Sequence, residues 1–235
     1  MSIRKKTSPT ATAIIVAAGN SRRMGDNNKQ FIFIDDMPVL AHTLLKFDNA
    51  CAIDSIVVVT KEDCILTVWD IVREFGISKV TDVIPGGKTR GDSVKCGLQL
   101  VPNNKLVAIH DGARPFVSSA KIDELVSIAD SFGASAPGVV PKDTVKHISP
   151  DGKIEETINR DVLRLIQTPQ VFRSEEIKLA YIRADESGFT GTDDCSIVEN
   201  AGFTVHIADG EYTNIKVTTP EDIPVAEAIH HFLSK

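Results

Sequence analysis

The stretch AIIVAAGNSRRMGDNNK, residues 13–29, joins an apolar run to a loop of small and basic residues. The run at 13–16 predicts a strand that is buried on both faces. The three small residues after it carry no bulky side chains, so the loop backbone can approach a ligand closely and point its N–H groups at phosphate oxygens. We therefore predict that a nucleotide binds to Ala17, Ala18 and Gly19.

Positive charge in the same loop favours an anionic ligand. Arg22, Arg23 and Lys29 follow the small residues, and together they suit the phosphates of a nucleoside triphosphate. The loop has neither the GxxxxGK[ST] spacing of a P-loop nor the GxGxxG spacing of a dinucleotide fold. The alternative interpretation is a glycine turn whose basic side chains are solvated.

Length and composition bound the class of protein. The chain has 235 residues, 42% of them hydrophobic, and a formal net charge of -6. These values predict a single domain over residues 1–235 and argue against a nucleic-acid partner. The four cysteines form no CxxC pair, which indicates a reducing compartment and no zinc site. No apolar signal core and no membrane-spanning run is present, so we expect a cytoplasmic protein with no membrane partner.

Strand and helix signals alternate along the chain. Apolar runs predict buried strands at 13–18, 55–60, 79–84 and 106–110. Apolar residues at helical spacing predict helices from Pro38, over 65–75, from Asp92 or Ser93, and over 118–132. We expect an α/β fold with a Rossmann-like, mostly parallel sheet, helices on both faces, and ligands bound outside the carboxyl ends of the strands.

The segment 141–170 breaks this alternation. Its turn signal Pro150–Asp151–Gly152 separates two β-prone stretches, which predicts a protruding β-hairpin arm inserted within the domain. An isolated two-stranded arm is marginally stable in water, so we expect a second subunit to hold it in a homodimer. A flexible surface flap is the alternative.

An acidic residue follows the predicted strand at 106–110. Mg²⁺ prefers one or two carboxylates together with substrate phosphates, so Asp111 beside a triphosphate loop predicts a magnesium site. The alternative is that Asp111 caps the next turn and pairs with Arg114. His110 borders an apolar run, and we expect it to be a core residue without a catalytic role.

A second glycine loop, GGKTRGDS at residues 86–93, follows the third predicted strand. Its backbone groups and Ser93 offer the donors and acceptors that distinguish the edge of a pyrimidine. A flexible turn is the alternative.

The stretch 214–218 near the carboxyl end predicts a strand that precedes a capped helix. Lys216 alternates with the apolar residues Ile215 and Val217, so it points away from their face, toward solvent or a ligand. The sequence alone favours solvent.

Several motifs occur together and in order: AAGNSRRMG, Lys29, GGKTRGDS, HDGARP, TPQ at 168–170, TDDCS at 192–196 and NIKVTTPED. In this combination the chain resembles the 2-C-methyl-D-erythritol 4-phosphate cytidylyltransferases along nearly all of its length. The resemblance implies a Mg²⁺-dependent reaction of CTP with a polyol phosphate, 2-C-methyl-D-erythritol 4-phosphate. The products would be 4-diphosphocytidyl-2-C-methyl-D-erythritol, an intermediate of non-mevalonate isoprenoid biosynthesis, and pyrophosphate. A homodimer built around the hairpin arm is also implied.

The resemblance further implies roles for individual residues. Catalysis is assigned to Arg23, Lys29, Arg160 and Lys216, and the metal to Asp111. Nucleotide binding is assigned to Ala17, Ala18, Gly19, Gly87, Arg90, Ser93, Arg114 and Thr168. Acceptor binding is assigned to Thr144, Arg160 and Lys216, with Thr144 and Arg160 reaching the neighbouring subunit's site. Many members carry an acidic residue where this chain has Lys88, which puts base contacts by that side chain in doubt but leaves backbone contacts unaffected.

Three other functions stay open. A ribitol-5-phosphate cytidylyltransferase would share the fold, the metal and the CTP loop but accept a polyol phosphate without the branching methyl group. A non-catalytic nucleotide-binding module is disfavoured by the presence of Arg23, Lys29 and Asp111. A nicotinamide dehydrogenase is disfavoured because the glycine fingerprint and the ribose-binding carboxylate are missing.

Overall fold

An eight-stranded, mostly parallel sheet forms the centre of the computed structural model, which describes residues 9–19 and 29–235 apart from the side chain of Lys29. The strands are β1 (Ala11–Val16), β2 (Phe33–Ile34), β3 (Met37–Pro38), β4 (Ile53–Thr60), β5 (Val80–Pro85), β6 (Leu106–Asp111), β7 (Ala134–Val139), β8 (Val145–Ile148), β9 (Ile154–Ile158), β10 (Leu165–Ile166), β11 (Gln170–Arg173) and β12 (His206–Asp209). The helices are α1 (Val39–Asp48), α2 (Ile65–Glu74), α3 (Arg90–Leu98), α4 (Ser119–Phe132), α5 (Ser174–Ser187), α6 (Asp194–Asn200) and α7 (Asp222–Leu233). Within the two described ranges, none of these helices has the length and apolar character to cross a membrane.

The strand order brings several loops to one edge of the sheet. The sheet runs β10-β7-β11-β6-β1-β4-β5, with β12 paired to β7. Strands β6, β1, β4 and β5 are parallel, whereas β11 is antiparallel to both of its neighbours. Val16 pairs with Val59 on one side and with Asp111 on the other. The loops after β1, β4 and β6 therefore begin side by side at the carboxyl edge, where sheets of this kind bind ligands.

Apolar side chains project from both faces of the central strands into the core, which explains why the sequences of these strands are continuously apolar. In β1, Ala13 and Ile15 share an apolar cluster with residues of α1, α2 and α4, whereas Ile14 and Val16 share another with residues of α3, α5 and α6. A Cβ atom at Gly97 would lie 2.7 Å from Ile14 Cγ2, so glycine allows α3 to approach β1 closely. The predicted α/β fold with helices on both faces is confirmed.

Several predicted boundaries are shifted, including those of β1, β4 and α3. Strand β1 begins two residues earlier than the predicted range 13–18 and ends before the small residues of the loop. Helix α3 begins before the predicted start at Asp92 or Ser93 because Thr89 is its N-cap. Thr89 Oγ1 accepts from the Asp92 N–H at 3.0 Å, and the Asp92 carboxylate accepts from the Thr89 N–H at 3.2 Å. This capping box therefore starts the helix at Arg90, ahead of the expected residue.

The strand predicted at 214–218 does not form. The Val217 N–H donates to Ala113 O at 2.9 Å. The Asp222 carboxylate accepts from the N–H groups of Thr218 and Thr219 at 2.7 and 2.8 Å. Local capping and a contact with the loop after β6 thus satisfy backbone groups that a sheet would otherwise pair.

The hairpin of β8 and β9 forms a separate two-stranded antiparallel sheet. It is shorter than the predicted arm at 141–170, because β10 pairs with β7 and β11 lies between β6 and β7. Ile148 and Ile154 on the hairpin are 58% and 65% exposed. Within the part of the chain that the structure describes, these two hairpin side chains therefore have little apolar cover.

Candidate functional site

A cleft of about 680 Å³ lies at the carboxyl edge of the sheet. This volume falls in the range of small-molecule sites. The predicted site residues that line it are Ala18, Gly19, Gly87, Arg90, Ser93, Asp111 and Lys216. They come from the loops after β1 and β5, the start of α3, the last residue of β6 and the segment before α7, so the fold brings together residues that are distant in sequence.

Asp111 lies among three positive side chains. Its Oδ1 accepts from Arg90 Nε at 2.9 Å, and its Oδ2 lies 2.6 Å from Lys216 Nζ. Arg114 Nε is 4.0 Å from the same Oδ2. Burial alone would raise the pKa of Asp111, but the charges of Arg90 and Lys216 outweigh burial and hold this pKa below its ordinary range. Asp111 is therefore ionised near neutral pH.

The sequence-based preference for solvent at Lys216 is wrong. Its ammonium group pairs with Asp111 in the cleft. Nearby, the buried Asn214 fixes the segment, because its Nδ2 donates to Thr168 O at 3.0 Å. The alternation around Lys216 predicted a direction away from the apolar face, but only the fold reveals a carboxylate on that side.

Arg90 bridges Asp111 to a second carboxylate that the sequence analysis did not assign. Arg90 Nη2 lies 2.8 Å from Asp194 Oδ2, and Asp194 is completely buried. Tyr181 Oη donates to Asp194 Oδ1 at 2.6 Å. Burial alone would lower the pKa of Arg90, but the two carboxylates raise it above its ordinary value. The available signal was TDDCS, in which Asp193 caps α6 and so places Asp194 at the start of the helix.

The second glycine loop is held by its own serine. Ser93 Oγ accepts from the Gly87 N–H at 3.2 Å and donates to Thr89 O at 2.9 Å. A Cβ atom at Gly86 would lie 2.5 Å from the Ala18 Cβ, so glycine is needed where this loop meets the loop after β1. The Ser93 proton is thus engaged, and the hydroxyl keeps acceptor capacity toward a ligand.

His110 is a buried residue with two polar contacts. Thr168 Oγ1 accepts from the Asp111 N–H at 3.1 Å and lies 3.0 Å from His110 Nδ1, while His110 Nε2 lies 3.1 Å from Arg114 O. These contacts suit a neutral ring that carries its proton on Nε2. Burial lowers the pKa of His110 to about 3. Thr168 lies behind Asp111 and holds its backbone.

We expect His110 to make folding stability fall in mild acid. Its pKa is about 3 when folded, below the ordinary 6.5, so between these values the unfolded chain binds an additional proton. This lowers the unfolding free energy by up to about 1.4 kcal/mol per pH unit as the pH falls below 6.5. Between pH 6.5 and 5, the unfolding free energy measured by urea denaturation should depend less on pH in His110→Gln than in the unchanged protein. Equal slopes for the two proteins would contradict a neutral, buried His110.

The remaining predicted residues lie elsewhere. Arg23 and the side chain of Lys29 are outside the described part of the chain. Thr144 and Arg160 are exposed beside the hairpin, where Arg160 Nη1 donates to Lys142 O, and they do not line the cleft. Ala17 is buried behind the loop after β1. Arg114 Nη1 donates to Asn214 O at 2.8 Å and so joins two walls of the site.

The chemistry of Asp111 fits a Mg²⁺ ion whose other ligands are phosphates. Among residues 9–19 and 30–235, no group of three His, Cys, Asp or Glu side chains could hold a metal ion. A carboxylate has about four lone-pair positions, so Asp111 could offer an oxygen to a cation while it still accepts from Arg90. The neighbouring positive charges oppose a bare cation, so we expect the ion to bind together with an anionic nucleotide.

The parallel sheet and the cation-lined cleft at its carboxyl edge define an α/β protein of the nucleotide-binding class. A family profile described as 2-C-methyl-D-erythritol 4-phosphate cytidylyltransferase matches residues 11–231. The chain belongs to this family, as the motifs predicted. Membership does not favour the ribitol-5-phosphate alternative.

Individual relatives agree with the family match. The protein named 2-C-methyl-D-erythritol 4-phosphate cytidylyltransferase of Clostridium novyi (strain NT) is 44% identical over 219 residues, 92% of this chain and 95% of the relative. The protein of the same name from Dehalococcoides mccartyi is 45% identical over 217 residues, 92% of this chain and 94% of the relative. The crystal structure of 4-diphosphocytidyl-2C-methyl-D-erythritol synthase from Anaerococcus prevotii matches with a TM-score of 0.84 at 32% identity and covers 97% of each chain.

Proposed function

We propose that this protein transfers the cytidylyl group of CTP to 2-C-methyl-D-erythritol 4-phosphate and releases pyrophosphate. The product, 4-diphosphocytidyl-2-C-methyl-D-erythritol, belongs to non-mevalonate isoprenoid biosynthesis. The observation that carries the proposal is the group of three cations around Asp111, of which Arg90 and Lys216 line the cleft and Arg114 does not. Cations outnumber carboxylates along this wall, which favours a polyphosphate ligand in an otherwise acidic protein.

The reaction requires positioning and charge neutralisation rather than a protein nucleophile. A phosphate monoester is an anion near neutral pH, so its oxygen can attack the α-phosphorus of CTP in line while pyrophosphate leaves. In this proposal Lys216 orients the attacking phosphate, and Arg23 and Lys29 neutralise the negative charge that spreads over the α-phosphate. Asp111 would hold Mg²⁺, which supplies further positive charge at the phosphate oxygens when bound.

We also propose that the active form is a homodimer in which the hairpin of one subunit completes the cleft of the other. Thr144 and Arg160 are exposed and lie outside the cleft lining of their own chain. Apolar side chains are exposed on the hairpin and the segment after it, namely Ile148, Ile154, Val162, Leu165 and Ile166. Burial of these side chains against a partner would stabilise an otherwise marginal hairpin.

Product analysis tests the base and the acceptor together. The purified protein is incubated with Mg²⁺, one nucleoside triphosphate, and either methylerythritol phosphate or ribitol 5-phosphate. We expect efficient pyrophosphate release and a cytidine diphosphate alcohol with CTP and methylerythritol phosphate. Preferential use of ribitol 5-phosphate would overturn the acceptor assignment, and absence of product in every combination would overturn the activity.

We expect Arg160→Ala to raise the KM for methylerythritol phosphate at least about 10-fold, since loss of a charge-assisted phosphate contact costs 1.5–3 kcal/mol or more. CTP binding, measured by calorimetry without the acceptor, should be unchanged. Arg164→Ala is the matched control, because Arg164 lies in the same segment and Nη1 donates to the backbone O atoms of Asp161 and Leu163. Equal loss of CTP affinity in Arg160→Ala would contradict an acceptor role.

Mixed dimers test whether Arg160 acts across the subunit interface. A chain with Asp111→Asn has a defective cleft and an intact hairpin segment, whereas a chain with Arg160→Ala has the reverse. Co-expression should give heterodimers with one intact composite site and measurable activity. Activity no higher than in either single variant would show that Arg160 does not complete the partner's site.

A further inference from the structure

We propose that Asp194 and Tyr181 are positioning residues that orient Arg90, and through Arg90 the carboxylate of Asp111, for the reaction. This inference rests on the proposed function. The geometry behind it is a continuous line of polar contacts from Tyr181 through Asp194 and Arg90 to Asp111. Arg90 and Asp111 line the cleft, whereas Tyr181 and Asp194 do not.

Arg90 makes two contacts that together set the plane of its guanidinium group. Its Nη2 meets Asp194 Oδ2 at 2.8 Å and its Nε meets Asp111 Oδ1 at 2.9 Å. A guanidinium is rigid, so its hydrogen bond to Asp111 and its close ion pair with Asp194, made through different N atoms, together restrict its orientation. With Asp194 neutral, Arg90 would be free to pair with Asp111 through another edge or to turn toward the ligand.

The position of the Asp194 side chain is fixed by its surroundings. It is the first residue of α6 and is completely buried. Tyr181 on α5 donates to its Oδ1, and burial followed by the charge of Asp194 raises the pKa of Tyr181, which keeps this phenol protonated as the donor. The side chain of Asp194 is therefore a fixed negative partner for Arg90.

The start of α6 is tied to the strand that carries Asp111. Gln170 Nε2 donates to Asp193 Oδ2 at 2.7 Å, and Gln170 Oε1 accepts from the Cys195 N–H at 3.0 Å. Gln170 lies on β11 and pairs with Ile109 of β6, two residues before Asp111. Both ends of the Arg90 bridge thus belong to one connected frame, which suits a positioning role.

The charge of Asp194 also changes what Asp111 can do. Arg90 shares its positive charge between two carboxylates, so Asp111 is only partly neutralised by it. Without the charge of Asp194, Arg90 would pair more strongly with Asp111, and the Asp111 oxygens would be poorer partners for a cation. We therefore expect loss of Asp194 to weaken the use of Mg²⁺ more than it weakens the binding of CTP alone.

The test compares Asp194→Asn and Tyr181→Phe with the unchanged protein. Loss of a residue that orients a metal ligand typically costs 10–100-fold in affinity or activity. For Asp194→Asn we expect kcat to fall by about this factor and the Mg²⁺ concentration for half-maximal rate to rise about 10-fold or more. Tyr181→Phe removes one hydroxyl and should shift both quantities in the same direction by less.

A measurement without turnover separates this proposal from the proposed function. Calorimetry of CTP with and without Mg²⁺, in the absence of the acceptor, gives the gain in CTP affinity that the ion provides. We expect this gain to be smaller in both variants, with CTP affinity in the absence of Mg²⁺ little changed. If the unchanged protein formed no product, the proposed function would fail, and the calorimetric comparison would still decide the positioning role.

Two controls guard against a purely structural effect. Asp185→Asn removes a carboxylate from the same helix as Tyr181, where it pairs with Lys95 at 3.0 Å on the surface, and should leave kcat and the Mg²⁺ dependence unchanged. Adding Asp194→Asn to Arg90→Lys should have little further effect on kcat, because lysine cannot bridge both carboxylates.

A lower melting temperature with unchanged kcat and Mg²⁺ dependence in Tyr181→Phe and Asp194→Asn would overturn the proposal. If Asp194→Asn fails to fold, Tyr181→Phe decides alone, because it keeps the ring and the carboxylate.

Discussion

Changing Asp111 to asparagine is expected to lower turnover by about 10³-fold, because in the proposed reaction Asp111 would hold Mg²⁺, and a bound metal ion contributes several kcal/mol to stabilising charge in the transition state. The protein should also lose stability. Asp111 is buried and pairs with Arg90 and Lys216, and removing one partner of a buried ion pair costs about 3 kcal/mol. At roughly 2–4 °C per kcal/mol for a chain of this size, the melting temperature should fall by about 6–12 °C.

The matched control for this variant is Asp54→Asn. Asp54 pairs with Lys105 but lies near the beginning of β4, at the opposite edge of the sheet from the cleft. It should change turnover little, so a comparable loss in both variants would mean that Asp111 acts only through stability.

The dependence of folding stability on pH provides a second test of the stabilising role of Asp111. Its pKa is below its ordinary value of 3.8 when folded, so its stabilising contribution is complete above that value and is lost as the pH falls below it. Asp111→Asn should therefore remove part of the steep loss of stability below pH 3.8, and an unchanged acid limb would contradict the pKa direction.

Replacing Lys216 with alanine is expected to lower turnover by about 10²-fold, because Lys216 orients the attacking phosphate in the proposed reaction and a misplacement of about 1 Å can cost this factor. Lys216 Nζ lies 2.6 Å from Asp111 Oδ2 and lines the cleft, so its ammonium group is where a phosphate would be neutralised. Steady-state kinetics should show a fall in kcat together with a higher KM for the acceptor phosphate.

Lys88→Ala is the matched control for Lys216→Ala. Lys88 lines the same cleft and is exposed at its rim, so its loss removes the same charge from a place that the proposal does not use. We expect a change of less than about 10-fold, as for a solvent-screened surface charge. If both variants lost activity equally, the effect would be the general charge of the cleft rather than the position of Lys216.

The local pattern of apolar residues was sufficient to predict most of the fold. Apolar runs buried on both faces predicted β1, β4, β5 and β6, and helical spacing between them predicted the covering helices. The errors in the predicted helices and strands lie where side chains form hydrogen bonds with backbone groups, because hydrophobic periodicity does not reveal such contacts. Thr89 extends α3 by capping it, and Asp222 caps the segment that was expected to be a strand.

The sequence likewise predicted one part of the candidate site and missed another. The motifs alone singled out Asp111, Arg90 and Lys216, and the family match confirmed the resemblance on which their roles depend. The direction of Lys216 and the contact of Asp194 with Arg90 were missed. Both depend on partners that are distant in the chain, 105 positions away for Lys216 and Asp111 and 104 for Arg90 and Asp194.

The sequence by itself determined which residues form strands, which loops carry small and charged groups, and to which family the chain belongs, since these follow from local periodicity and from motifs in order. Only the tertiary structure decided how those groups pair. Parallel strands place the ends of β1, β4 and β6 side by side, and the packing of α5 against both α3 and α6 buries a carboxylate beside Arg90. A buried charge is stable only when an opposite charge lies beside it in the folded structure, and that partner can be far away along the chain.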